Sequence, residues 1–277
     1  MVAATLMLAL GGCSGESTEE GSPTTSALRT SGALADGFDI EPGSSLLGAV
    51  LPVAPPFGGG WQAIVRVDDG LPRIFAAYVE QAEKSGYLVE PVGAPSAEDP
   101  CSEPDEEGAA QWLRIHCVAR GTGPKDSELS IAGFSAPDGQ TYIRLVGAKD
   151  SGGPSTSPLS SDVPVAPATD TELDPGLTPQ GDLPPVQVVK GSNPIFGAYG
   201  DDCGNGGYIA MLEVPGELMP VMRGYEEEFA EGGFRGSGLM QSENGLILST
   251  SAAGGGTLTA VATPGETSYV LIERCSD

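Results

Sequence analysis

The chain has 277 residues, 38 acidic against 13 basic side chains, a formal net charge of −25 and one histidine. That balance excludes nucleic acid as a partner, because phosphate recognition needs a basic footprint, and a lone His excludes an HExxH zinc site. With 39% hydrophobic residues the chain can still bury cores, so a globally disordered protein is not expected.

Residues 2–10, Val-Ala-Ala-Thr-Leu-Met-Leu-Ala-Leu, form an uncharged apolar run. It is too short to span a bilayer, which needs about 20 apolar residues, but it suits the core of an export signal. The run leads into Leu10-Gly11-Gly12-Cys13. An aliphatic residue, two small residues and a Cys resemble the lipobox of bacterial lipoproteins. The resemblance implies removal of residues 1–12 as a signal peptide and diacylglycerol on the Cys13 thiol. It also implies a mature chain anchored to the membrane outside the cytoplasm. No Lys or Arg precedes the apolar run, a departure from the usual export signal. Residues 13–45, rich in Gly, Ser, Thr and Glu, are expected to form a flexible tether.

Two blocks follow, 46–148 and 186–277, separated by a Pro/Ser/Thr-rich stretch over 149–185 that reads as a semi-extended linker. The blocks look like copies. Gly59-Gly60-Trp61 matches Gly206-Gly207-Tyr208, and Tyr78-x7-Gly86-Tyr87 matches Tyr225-x7-Gly233-Phe234, both at an offset of 147. Pro137-x4-Tyr142 matches Pro264-x4-Tyr269 at 127, so the first copy carries an acidic insert, placed at 94–110. Each copy predicts a strand, a helix and a four-strand meander, an α+β unit with one helix packed on an antiparallel-rich sheet. The expected elements are 61–67, helix 71–84, 86–92, 111–119, 127–135 and 140–147. In the second copy they are 207–214, helix 216–230, 233–241, 244–251, 256–263 and 267–274. Tandem duplication accounts for the pattern.

Besides Cys13 there are four cysteines, and an exported chain meets oxidising conditions. Three connectivities exist. Independent folding of the copies favours Cys101–Cys117 and Cys203–Cys275, the second requiring the first and last strands of its copy to be antiparallel neighbours.

No catalytic signature such as GxSxG, SxxK or GxxxxGK is present, and no cofactor or metal site is expected. The acidic insert and Asp201-Asp202-Cys203-Gly204-Asn205 do not have EF-hand spacing. Strand alternation puts Ala63, Val65, Val67, Leu113, Ile115, Ile143 and Leu145 towards the helix. The opposite face of the first copy then carries Gln62, Ile64, Arg66, Trp112, Arg114, His116, Tyr142, Arg144 and Val146, of which Arg66, Trp112, Arg114, His116, Tyr142 and Arg144 form a basic and aromatic set, the candidate binding face. The equivalent face of the second copy carries Ile209, Met211, Glu213, Tyr269, Leu271 and Glu273. These faces could stay half-solvated, pack on each other with Arg66 or Arg144 meeting Glu213 or Glu273, or receive an anionic ligand or partner protein. The reading adopted is a non-catalytic binding or adaptor module at the cell envelope, taking an envelope protein or small ligand. A hydrolase with its site between the copies and a calcium-stabilised surface protein are the alternatives.

Overall fold

A computed structural model describes residues 28–35, 37–53, 60–68, 70–92, 101, 114–135, 140–149, 157–158, 164–173, 186–200, 207–242, 245–252, 256–265 and 267–275. The first unit holds β1 (Ala33–Ala35), β2 (Phe38–Asp39), β3 (Ser44–Leu46), β4 (Leu51–Pro52), β5 (Trp61–Val67), α1 (Leu71–Lys84), β6 (Leu88–Pro91), β7 (Arg114–Thr122), β8 (Ser127–Ser135) and β9 (Thr141–Lys149). The second holds β10 (Ser157–Pro158), β11 (Ala168–Glu172), β12 (Gln187–Val189), β13 (Asn193–Gly200), β14 (Gly207–Val214), α2 (Leu218–Glu231), β15 (Phe234–Ser242), β16 (Gly245–Ala252), β17 (Thr257–Thr263) and β18 (Ser268–Cys275). Over the described residues the chain is α+β, mostly antiparallel sheet with two α-helices.

Each unit has one main sheet. The first runs β3-β5-β9-β8-β7-β6 with β4 also on β5; the second runs β13-β14-β18-β17-β16-β15-β10. Apart from β4 and β10, the order of corresponding strands is the same. Each unit also has a two-stranded ribbon, β1-β2 or β11-β12.

Period-two alternation and the helical stripe explain the packing. α1 buries Leu71, Ile74, Phe75, Tyr78 and Ala82, a stripe at i, i+3, i+4, i+7 and i+11. They meet Ala63, Val65, Val67, Ile143 and Leu145 on one face of the sheet. Each such large apolar side chain contributes about 1.5–3 kcal/mol on burial. The helix ends where Gly86 turns to φ 87°. There Tyr87 N–H donates to Ala82 O and Gly86 N–H to Glu83 O, both at 3.0 Å, the paired bonds of a Schellman stop. α2 repeats the stripe with Leu218, Val221, Met222, Tyr225 and Phe229.

The same turn locks each helix to its sheet. In Glu41-Pro42-Gly43-Ser44 and Val189-Lys190-Gly191-Ser192 the third residue is a Gly at φ 91° and 95°, as a type II turn needs. Ser44 Oγ donates to Glu41 O (2.8 Å) and shares a hydrogen bond with Tyr78 Oη (3.4 Å). Ser192 Oγ donates to Val189 O (2.7 Å) and meets Tyr225 Oη at 2.8 Å. Burial raises both phenols, Tyr225 to about 12 from 10.0. The neutral phenol is therefore the native form. Its stabilisation is complete below pH 10 and is lost as pH rises towards 12. Tyr225→Phe is expected to flatten the fall in urea stability between those values by about 2 kcal/mol. An unchanged alkaline slope would refute this role.

Two expectations about the tethers change. Residues 28–35 and 37–45, expected to belong to the tether, are part of the first unit, because Leu34, Phe38 and Ile40 bury themselves beside α1; three apolar residues so spaced show no period in the sequence. Within 149–185, Ala168–Glu172 pairs with Gln187–Val189 and Ser157–Pro158 pairs with β15. Pro137-Asp138-Gly139, whose composition suits a hairpin turn, and residues 111–113 lie outside the described residues.

Candidate functional site

The helix-free faces of the two main sheets pack on each other, so the layers run helix, sheet, sheet, helix. Leu47, Leu51, Ile64, Phe134 and Tyr142 of the first unit and Phe196, Ile209, Met211, Ile247, Val261 and Leu271 of the second share this buried layer. Phe196 stacks on Tyr142 with ring centroids 5.1 Å apart and lies 6.3 Å from Phe134. Arg144 ion-pairs with Glu273 across the layer, each side chain only 14% exposed. Arg144 also donates to Gln62 Oε1 (2.9 Å), and Gln62 Nε2 donates to Pro52 O (3.0 Å). Thr263 Oγ1 donates to Val50 O at 3.0 Å. Of the three arrangements open to these faces, packing is the one found over this part.

Tyr142 and Arg144 thus face the second sheet. Arg66 is half-buried and pairs with Asp68 at 3.1 Å. Trp112 lies outside the described residues, as do Cys13, Cys203 and all of the 94–110 insert except Cys101. Arg114 and His116 belong to β7. A register shift between Ile115 and Cys117 puts Ile115 opposite Phe134 and Arg114 opposite Ser135. The unbroken alternation expected through 111–119 is interrupted there, since a bulge adds one residue to one strand. Cys101 and Cys117 are bonded, with Cα atoms 4.4 Å apart, and both are buried in the core beneath α1. Cys275 closes β18.

The second sheet covers only part of the first. Strand register lays out the outer face of the first sheet as cross-strand rows. The row through Ile64, Arg144 and Ala132 and the row through Tyr142 and Phe134 lie at the packed end. The next two rows are Glu90, Arg120, Ser130 and Val146, then Leu88, Thr122, Glu128 and Ala148. Together with Pro91, Val92, Gly121 and Leu129 these residues line an open groove of about 930 Å³. Leu88 and Val92 are 80% and 44% exposed at its rim, and Arg120 is exposed between Glu90 and Ser130. Arg144 therefore marks the border between the covered and the open half of one face.

Compared with protein families, curated proteins and solved structures, the chain matches none.

The sequence pattern leads to this face through Val146 but does not reach Leu88, Glu90, Arg120 and Glu128. Continuing the period-two pattern through 86–92 and 127–135 places Leu88, Glu90, Glu128 and Ser130. Arg120 follows from the same pattern once the strand expected over 111–119 is extended to its observed end at Thr122. Among the described residues no group of three metal-ligating side chains comes together, and no helix is long and apolar enough to cross a membrane.

Proposed function

We propose that the mature chain is a lipid-anchored extracytoplasmic binding module whose recognition surface is the open half of the first sheet. The observation that carries this reading is the groove. It combines an apolar rim, one exposed Arg and flanking carboxylates on a floor of four hydrogen-bonded strands, a rigid support for recognition. The lipobox-like Leu10-Gly11-Gly12-Cys13 supplies the anchor, and an envelope protein is the partner. We also read the units as tandem copies, supported by the common strand order and by the same Ser–Tyr turn lock at 44/78 and 192/225. The pairing of β14 with β18, with Tyr208 opposite Arg274, supplies the neighbouring strands that a Cys203–Cys275 bridge requires. Intact mass before and after reduction would count both bridges.

Two measurements test the function. Cys13→Ser should move the chain from the membrane to the soluble fraction and remove the acyl mass from the N-terminal peptide. A photoreactive residue at Leu88 should cross-link one envelope protein, and the same residue at Glu80, exposed on α1, should not. Arg120→Glu should weaken that capture by about tenfold. Equal labelling from Leu88 and Glu80 would count against the groove.

A further inference from the structure

The contact between the two units has the form of a two-fold pairing. Strand register makes Ile64, Arg66, Tyr142, Arg144 and Val146 equivalent to Met211, Glu213, Tyr269, Leu271 and Glu273. On one side the bulged edge strand β13 rests Phe196 on Tyr142. On the other, Gly48, just past β3 on the corresponding edge, sits against Tyr269 and Met211. The same contact is made twice, in opposite directions, as across an isologous interface.

The side chains at equivalent positions are complementary instead of alike. Phe196 brings a ring to the equivalent tyrosine where Gly48 brings bare backbone. The charges follow the same logic. Arg144 meets Glu273, whereas the positions equivalent to these two are Leu271 and Val146. Two first units paired by the same operation would set Arg144 against Val146. Two second units would set Glu273 against Leu271. Each like pairing buries an uncompensated charge twice, which is strongly unfavourable.

We infer that the helix-free face of the first unit is a docking surface specific for the face of the second unit and closed to another copy of itself. The unlike pairing is then carried by the side chains and does not depend on the chain that joins them. The disulfide Cys101–Cys117 lies within one unit, so it does not hold the two together.

The test uses the full chain with a specific protease site inserted between Gly152 and Gly153, in the stretch joining Lys149 to Ser157. After complete cleavage, light scattering on a sizing column should find one species with the mass of the intact chain at about 1 μM, a concentration well above the dissociation constant of a tight interface. With Arg144→Glu the halves should dissociate at least about tenfold more readily. The exchanged variant Arg144→Glu/Glu273→Arg should restore the single species, which guards against misfolding of the single variant. Cleaved wild-type halves that separate, or that re-sort into like pairs, would overturn the inference. So would an Arg144→Glu variant whose halves stay together as firmly as wild type.

Discussion

Arg144→Leu alone should lower the unfolding free energy by about 3 kcal/mol, and adding Glu273→Val should recover most of that loss. Both side chains are 14% exposed and paired with each other. Removing the cation leaves Glu273 buried without its counter-charge, and breaking one side of such a pair costs about 3–5 kcal/mol. Removing both charges is different, because the desolvation of each ion disappears with the attraction between them. The chosen replacements are the residues found at the equivalent positions, Leu271 and Val146, so each charged position takes the apolar residue that its counterpart in the other unit carries. Gln62 moderates the gain: it loses the donor at Oε1 but keeps its 3.0 Å bond to Pro52 O. Urea denaturation of the four proteins of the cycle gives the coupling directly. A double variant whose loss equals the sum of the two single losses would show that the charges do not act as a pair.

Much of this layer can be read from residue order alone. Alternation in Trp61–Val67 separates Ala63, Val65 and Val67 from Gln62, Ile64 and Arg66, and the structure places the first three beneath α1. The helix over 71–84 follows from the spacing of Leu71, Phe75, Tyr78 and Ala82, and Gly86 ends it. The pairing of Arg144 with Glu273 is one of four that two basic and two acidic positions allow. What local pattern does not supply is the offset between the sheets. That offset is set by contacts such as Phe196 on Tyr142 and Thr263 on Val50, whose partners are far apart in the chain and carry no period. Without the offset there is no means of telling that Tyr142 is covered and Val146 opens onto a groove. Arg120 goes unread for a simpler reason: it has the parity of Trp112, Arg114 and His116 but lies one residue past the strand end expected at 119, and the strand runs on to Thr122. The bulge between Ile115 and Cys117 alters the other side: an added residue reverses face assignment across it, so Ile115, expected towards the helix, takes its place in the row of Phe134 and Tyr142, and nothing local in the sequence marks the extra residue. The edge strand β13 escapes the pattern as well, because Pro194 and Gly197 weaken any strand signal over 193–200. Its partner β14 satisfies the register nonetheless.

Gly48→Ala should be the most damaging single methyl group that can be added between the units, with an expected loss of about 2–5 kcal/mol. Two effects add. Gly48 has φ 75°, a left-handed conformation that costs an L-residue with a Cβ about 1–2 kcal/mol. The new Cβ would also lie 2.8 Å from Tyr269 Cγ and 3.2 Å from Met211 Sδ. Tyr269 and Met211 are held in β18 and β14, so the ring cannot retreat without moving a strand, and overpacking of this kind costs about 1–3 kcal/mol more. Gly32 is the control. It has φ 105°, and a methyl group placed on its Cα would meet nothing within 4 Å, so Gly32→Ala should show the backbone part alone, about 1–2 kcal/mol. The difference between the two variants in urea midpoint isolates the steric part. Tyr269→Ala should remove that part in the Gly48→Ala background, leaving only the backbone effect. If Gly48→Ala were no worse than Gly32→Ala, the close approach of the first unit's edge to Tyr269 would not be a tight contact in solution. The two-fold form of the interface would then lose one of its two matching halves.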